Sequence, residues 1–141
     1  MGELFHVRVG VRGYELDIQG HLNQAVYLQY AEHARWEHLR AAGITPQKMQ
    51  AARRGPVVLE TTIRYLSELR AGDEVDISCA FEWGGGKTFR LRQELRKTDG
   101  TLASEITAVG GVLDLDARRL VADPAAELTK LADHPEVLDA S

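Results

Sequence analysis

One long helical segment followed by several strand-like segments is the feature that most limits how this chain can fold. Residues 24–42 contain neither glycine nor proline. Asn23 suits the N-cap of this helix, because its side chain can accept a hydrogen bond from a free amide in the first turn, and Gly43 suits the left-handed residue that ends it. Apolar residues cover a broad face of the helix, so we predict that a sheet wraps around it.

Alternation of apolar and polar residues stands on both sides of this helix. Residues 5–11 alternate with a period of two, which is typical of a half-buried strand. Four more strands are predicted at residues 57–66, 75–83, 89–96 and 102–115. The short turns between them are typical of antiparallel pairs. We therefore predict an α+β fold in which a five-stranded antiparallel sheet wraps around one long central helix.

The other segments are predicted as connections: a loop at 12–22, a short helix at 45–54 and a loose terminal helix at 124–141. We expect a single domain over residues 1–141, with its core at about 5–116 and a polar tail at about 122–141. One helix cannot cover both faces and the edges of five strands. We therefore expect self-association to bury part of the sheet.

Composition narrows the classes of function. The 141 residues carry a net charge of −4, so a polyanionic ligand would need a local basic patch, and no nucleic-acid partner is expected. The single cysteine, Cys79, excludes an internal disulfide and a cysteine-based zinc cluster, and its apolar neighbours predict an inert core thiol. No apolar run approaches the ~20 residues of a membrane span, and the first residues show no secretory signal. We expect a cytoplasmic protein.

The most specific motif lies between the first strand and the helix. Residues 14–28 read Tyr-Glu-Leu-Asp-Ile-Gln-Gly-His-Leu-Asn-Gln-Ala-Val-Tyr-Leu. This run resembles the signature of 4-hydroxybenzoyl-CoA thioesterase-like proteins, in which Asp-x-x-Gly is followed by His, Val or Ile, then by Val or Leu, and then by Asn-x-x-x-Tyr. The helix at 30–36, the stretch 63–75 and the hairpin around Lys87 also resemble that family, although Glu68 stands where the family usually has proline.

The resemblance covers roughly residues 5–116 and implies the hotdog fold. It also implies a homodimer with two active sites at its interface, often assembled into a homotetramer. The implied activity is hydrolysis of an acyl-CoA or acyl-carrier-protein thioester to free acid and thiol, without a metal or a redox cofactor.

Thioester hydrolysis needs an attacking oxygen and donors for the developing oxyanion. A single carboxylate is sufficient, because a thiolate leaves readily, and it can act as nucleophile or as base on water. The amides of Gln24 and Ala25 lie at the positive end of the predicted helix and lack partners within it. By resemblance, Asp17 is the catalytic acid and the Gln24 amide is the oxyanion donor. Gly20 would let the substrate carbonyl approach the backbone closely.

Several of these residues also have purely structural interpretations. Asp17 could simply cap its own turn. His21 could activate water or orient Asp17, or could bond only to backbone. Asn23 could serve in catalysis as well as capping the helix. Among the glutamates, Glu32 and Glu37 are predicted to be structural or solvated, whereas Glu60 is predicted to be a buried, partnered carboxylate and the best alternative acid.

A basic stretch is the candidate site for CoA phosphates. Lys87, Thr88, Arg90 and Arg92 lie in or beside one strand, and arginine can bind phosphate bidentately. A solvated strand face is the competing interpretation. The Gly-Lys-Thr at 86–88 is no P-loop, because a strand follows it. Tyr27 is predicted to lie mainly in the core, with a role in lining the acyl tunnel.

The sequence argues against a metal site and leaves three rival functions to compare with hydrolysis. His33 and His38 are five apart and do not share a helix face, so no metal site is expected. One rival is a non-catalytic hotdog module that binds acyl-CoA. The other rivals are a hotdog hydratase, whose usual signatures are absent from the sequence, and a structural oligomer without a ligand.

Overall fold

The structure is a computed structural model that describes residues 4–139. Its helices are α1 (Gln24–Ala41), α2 (Pro46–Ala51) and α3 (Pro124–Leu131), with 3₁₀ turns at Gly13–Glu15 and Pro135–Leu138. Its strands are β1 (Phe5–Gly10), β2 (Arg54–Tyr65), β3 (Glu74–Trp83), β4 (Thr88–Lys97), β5 (Leu102–Asp114) and the two-residue β6 (Arg119–Leu120). These elements follow the order that the hydrophobic pattern predicts.

The strands form one antiparallel sheet in the order β1-β3-β4-β5-β2, and β6 pairs with the end of β5. The helix α1 packs against β3 and β1 on the inner face of this sheet. The predicted α+β hotdog fold is therefore confirmed. The short strand β6 was not predicted, because two residues are too few to show an alternating pattern.

The inner face of the sheet and the buried face of α1 form the core. On β3 every second residue is buried, as the alternation predicts, and Cys79 is one of them. Burial raises the pKa of the Cys79 thiol to about 12, so the thiol stays protonated and inert. On α1, Ala31 and Ala34 are completely buried. Their small side chains let the helix axis approach the strands closely.

The strand β2 is an edge of the sheet and is largely exposed. It pairs only with β5 in the part of the chain that the structure describes, and Leu59 is 53% exposed. Its register shifts between Val58 and Glu60. Glu60 is exposed and has no ion pair among the described residues. The prediction of a buried, partnered Glu60 is therefore wrong, because Glu60 lies on an exposed part of this edge strand.

The C-terminal segment packs on the core, contrary to the predicted loose tail. Leu128 of α3 and Leu138 of the last 3₁₀ turn are buried within the hydrophobic core cluster. The Asp123 side chain caps α3 by accepting from the Ala126 amide at 3.1 Å. The polar composition hid this docking, because a few buried leucines among many exposed polar residues are enough to attach a short helix.

The buried ring of His38 joins the end of α1 to this C-terminal segment. Its Nε2 bonds to the Val137 carbonyl at 2.7 Å, and its ring stacks on Phe5 with centroids 4.5 Å apart. The other nitrogen, Nδ1, is buried and has no hydrogen-bond partner among residues 4–139. Burial lowers the pKa of His38, because the charged ring would lose its hydration.

We expect this histidine to make stability depend on pH. The unfolded chain takes up the proton near the ordinary pKa of about 6.5, whereas the folded chain resists it. The contribution of neutral His38 to the free energy of unfolding should therefore be fully present above about pH 6.5. It should decline as the pH falls below that value, by at most about 1.4 kcal/mol per pH unit. Urea unfolding at about pH 7.5 and about pH 5.5 checks this. The His38→Phe variant should lose less stability over the same pH interval. An equal loss in the variant and the wild type would show that His38 does not cause the pH dependence.

Candidate active site

The loop that carries Asp17 closes on itself before α1 begins. Leu16 and Leu22 form an isolated antiparallel bridge at its base. Inside it, the Asp17 amide donates to the His21 carbonyl at 2.7 Å, and the Gly20 amide donates to the Asp17 carbonyl at 3.0 Å. Gly20 has a φ of 80°, a conformation that glycine adopts without strain. The glycine is thus explained by the turn itself.

The carboxylate of Asp17 uses one of its oxygens to hold this turn. Its Oδ1 accepts from the amides of Gln19 at 2.9 Å and His21 at 3.1 Å. The structural interpretation of Asp17 as a turn cap is therefore correct. Among the described residues no donor takes Oδ2, and the side chain is exposed on this chain. The turn fixes the carboxyl group and leaves one oxygen available for chemistry.

Glu15 ties the loop to the side of α1. Its carboxylate accepts from the Tyr30 hydroxyl and from the Arg12 amide at 2.9 Å, and its carbonyl accepts from the Asn23 amide at 2.9 Å. Burial, followed by the Glu15 carboxylate, raises the pKa of Tyr30, so its hydroxyl stays a donor. One glutamate thus positions both the start of the loop and the first residue of the helix cap.

The first turn of α1 differs from the prediction at one amide. Asn23 is the N-cap, as predicted, and its side chain accepts from the Ala25 amide at 2.9 Å. The Ala25 amide is therefore not free, because the cap occupies it. Within residues 4–139 the Gln24 amide has no protein acceptor. It remains an available donor at the positive end of the helix.

Asp17 and Gln24, the residues that carry these two groups, line one cleft of about 510 Å³. The predicted site residues in its wall are Asp17, His21, Asn23, Gln24 and Tyr27, joined by Leu22. The sequence interpretation missed the opposite wall, which consists of Tyr65, Leu66, Ser67 and Glu68 at and after the end of β2. Glu68 stands where the family that this chain resembles usually has proline. That departure was the one feature of the sequence that could have pointed to this wall.

Two tyrosines connect the walls of the cleft. The Tyr27 hydroxyl donates to the Ser67 carbonyl at 3.3 Å, and the Tyr65 hydroxyl donates to the Gln24 carbonyl at 3.2 Å. Their rings meet edge to face with centroids 5.0 Å apart. Burial raises the pKa of Tyr27, so its phenol stays neutral. The pair forms an aromatic floor between helix and strand.

The cleft also holds a second carboxylate. Glu68 accepts from the Arg70 guanidinium at 3.2 Å, and this bond, with a smaller contribution from His21, lowers the pKa of Glu68. Asp17, His21 and Glu68 therefore line the same cleft. A reacting group in this cleft would meet one carboxylate bound to an arginine and one bound only to backbone amides.

The basic stretch predicted to bind CoA lies away from the cleft along the sheet. Thr88 pairs with Gly111 and Arg92 with Thr107, whereas Tyr65 beside the cleft pairs with Ser104. Seven residue steps along β5, about 23 Å, therefore separate Thr88 from the cleft end, and three steps, about 10 Å, separate Arg92 from it. Arg92 forms an ion pair with Glu82. Within one chain, Lys87, Thr88, Arg90 and Arg92 therefore do not join the cleft.

Among residues 4–139, no three His, Cys, Asp or Glu side chains gather in a way that could hold a metal ion. None of the described helices is both long enough and apolar enough to span a membrane.

We expect the bond between Tyr30 and Glu15 to be important for stability. The Tyr30→Phe variant leaves a carboxylate that is only 11% exposed without its hydroxyl donor. Loss of such a bond should lower the free energy of unfolding by about 1–3 kcal/mol. Urea unfolding measures this, and Tyr65→Phe, which removes an exposed tyrosine hydroxyl bond, is the matched control with a smaller expected loss. Equal losses would contradict the anchoring role.

Proteins named as thioesterases are similar to this chain in sequence and in fold. The acyl-acyl carrier protein thioesterase ATL3, chloroplastic, of Arabidopsis thaliana is 39% identical over 74 residues, which are 52% of this chain and 39% of that protein. The long-chain acyl-CoA thioesterase FadM of Escherichia coli (strain K12) is 28% identical over 116 residues, 82% of this chain and 87% of that protein. The crystal structure of YbaW, a probable thioesterase from Escherichia coli, has a TM-score of 0.80 at 25% identity and covers 97% of this chain and 99% of its own.

The match to the plant protein spans less than half of that protein's length. Residues 11–140 match the profile of the Thioesterase-like superfamily, which agrees with the resemblance carried by residues 14–28. The chain belongs to the Thioesterase-like superfamily.

Proposed function

We propose that this protein hydrolyses the thioester of an acyl-CoA or acyl-carrier-protein substrate to a free acid and a thiol. One observation carries the proposal: a residue with a free carboxylate oxygen and a residue with an unpaired helix-start amide line the same cleft. The carboxylate belongs to Asp17 and the amide to Gln24. The names of the similar plant and bacterial proteins support the substrate class.

In the proposed reaction the thioester carbonyl oxygen accepts the Gln24 N–H. Attack on the carbonyl carbon moves the π electrons to that oxygen, and the helix N-terminus stabilises the negative charge. A preorganised donor of this kind lowers a barrier by about 3–4 kcal/mol. The tetrahedral intermediate then collapses, the C–S bond breaks, and the sulfur leaves as a thiolate.

Asp17 supplies the attacking oxygen in one of two ways. Its free carboxylate oxygen either attacks the carbonyl carbon itself, forming a mixed anhydride that water later hydrolyses, or removes a proton from the attacking water. The backbone bonds to Oδ1 hold the group in one orientation, which favours either step. His21 lies in the same lining and is proposed to orient the water.

The proposal includes a homodimer formed through β2. Val58, Leu59, Tyr65 and Leu66 expose apolar surface on this edge strand, and Leu28 and Trp36 do so on the facing side of α1. An uncovered apolar edge favours pairing with a second chain. A two-fold axis would make the two copies of β2 antiparallel, as in an isologous interface. A tetramer built from two such dimers remains our expectation from the family resemblance.

This dimer would also bring the proposed CoA residues to the cleft. Antiparallel pairing of two β2 strands aligns the Tyr65 end of one copy with the Arg54 end of the other. The Lys87 and Arg90 end of the second copy then lies beside the first copy's Asp17. Lys87 and Arg90 have no ion pair among the described residues, which leaves them free for phosphate oxygens. We therefore propose a CoA site shared between two chains.

A non-catalytic module that binds acyl-CoA is the second candidate. The observation that favours it is the structural use of Asp17, whose Oδ1 already serves as a turn cap.

A cytoplasmic location also remains a prediction, resting on the single cysteine.

Replacing Asp17 by asparagine tests the proposed chemistry. Asp17→Asn keeps an oxygen to cap the turn but removes the nucleophile or base, so turnover should fall by about 100-fold or more. Release of free thiol from saturated acyl-CoAs of short and long chain, from benzoyl-CoA and from an acyl-carrier protein measures this.

Glu68→Gln is the matched control, because it makes the same change in the same cleft. It should cost much less activity. If Glu68→Gln abolished hydrolysis while Asp17→Asn did not, the assigned acid would be wrong. If the wild type bound acyl-CoA and cleaved no thioester, the binding module would replace the enzyme.

Replacing Leu59 by glutamate tests the dimer. Leu59→Glu places a charge on the proposed interface, so the mass in solution should fall to that of one chain and hydrolysis should fall with it. Light scattering after size-exclusion chromatography measures the mass. Leu4→Glu, at an exposed leucine beside the opposite sheet edge, should leave the β2 dimer intact. A Leu59→Glu protein with the wild-type mass would exclude this interface.

A further inference from the structure

A cavity of about 240 Å³ lies between the second half of α1 and the beginning of β2. Its walls are mostly apolar and include Phe81, Phe89, Leu91 and Leu128. The mouth lies beside Trp36 and Val58, two residues of the exposed apolar surface described above. The cavity is separate from the cleft at Asp17, since the two share no lining residue.

Two charged residues, Arg35 and Glu32, line this mostly apolar cavity. The Arg35 Nη1 donates to the Gln93 side-chain oxygen at 3.2 Å, and Gln93, only 2% exposed, donates its own amide to the Ala31 carbonyl at 2.9 Å. No carboxylate lies within 4.0 Å of Arg35 among the described residues. Burial is the largest influence on Arg35 and lowers its pKa, whereas Glu32 in the same cavity wall opposes this shift. A guanidinium in such surroundings favours an acceptor supplied from outside.

The distance from the cleft to Arg35 is that of a long acyl chain. Eleven residues of α1 separate Gln24 from Arg35, a rise of about 16 Å. An extended chain advances about 1.2 Å per bond, so about 13 bonds cover that distance. The same two elements, α1 and β2, line the cleft and the cavity. The cleft and the cavity therefore lie along the same pair of elements.

Resting on the proposed function, we propose that the cavity holds the far end of the acyl group and that Arg35 selects acyl groups bearing an oxygen acceptor there. A terminal carboxylate suits the guanidinium best, because it accepts two charge-assisted hydrogen bonds. A terminal hydroxyl would accept one. An unsubstituted methyl end would fill the apolar walls but would leave the guanidinium donors without an acceptor.

Thioester hydrolysis of matched acyl chains tests this specificity. The substrates are tetradecanoyl-CoA, its ω-hydroxy derivative and the mono-CoA thioester of tetradecanedioic acid, and the readout is the ratio of kcat/KM for substituted and plain chains. The wild type should cleave the ω-carboxy chain at least as well as the plain one. In Arg35→Met this ratio should fall by about tenfold or more, because one charged hydrogen-bonding group is lost.

Two further variants make the result specific. Arg40→Met removes an exposed arginine from the same helix, outside the cavity, and should leave the ratio unchanged. Arg35→Lys keeps the charge and should retain most of the preference, which guards against an effect of the unpaired Gln93 oxygen on folding. Thermal unfolding of each variant shows that the proteins compared are folded.

Three results would overturn the inference. One is a wild type that rejects the ω-carboxy chain by more than about tenfold. Another is an unchanged ratio in Arg35→Met. The third is conversion of Arg35→Met to a single chain with equal loss on all substrates, which would make Arg35 a contact between copies. Absence of hydrolysis for every thioester would instead refute the proposed function, and this inference with it.

Discussion

The close packing of α1 on the curled sheet is the contact on which the rest of the structure depends. Ala31 and Ala34 have no exposed surface, and the buried Gln93 reaches from β4 to the helix backbone. Burying these two alanines costs no side-chain conformational entropy, because alanine has no side-chain rotamers to lose. This contact holds the first turn of α1 at the sheet's rim, where a helix end offers an amide and a partial positive charge.

The fold could be predicted because its two periodicities are long and unbroken. Eighteen helical residues and four strands of ten or more residues leave little ambiguity between the periods of helix and strand. The errors came where burial depends on what lies opposite. Glu60 has apolar neighbours in sequence but lies on an uncovered edge, and Leu128 lies in a polar segment but meets the core.

The candidate site was predictable on one wall only. Asp17, Asn23 and Gln24 are contiguous in sequence, so a single motif reports them together. The facing residues from Tyr65 to Glu68 enter the cleft through the pairing of β2 with β5, a long-range contact that no local pattern encodes. The Ala25 amide shows a different limit. The sequence predicted that Asn23 caps the helix. It could not predict which first-turn amide the cap occupies, because that depends on a side-chain torsion angle.

The chain of bonds from Ala31 through Gln93 to Arg35 has an evolutionary consequence. Gln93 accepts from the arginine with one end of its amide and donates to the helix with the other. A change at either position alone leaves a buried polar atom without a hydrogen-bond partner. Tolerated substitutions at positions 35 and 93 should therefore occur together. Relatives that have exchanged the arginine for an apolar residue should carry an apolar or differently bonded partner on the strand. Divergence of the cavity's chemistry would then leave a paired signature in their sequences.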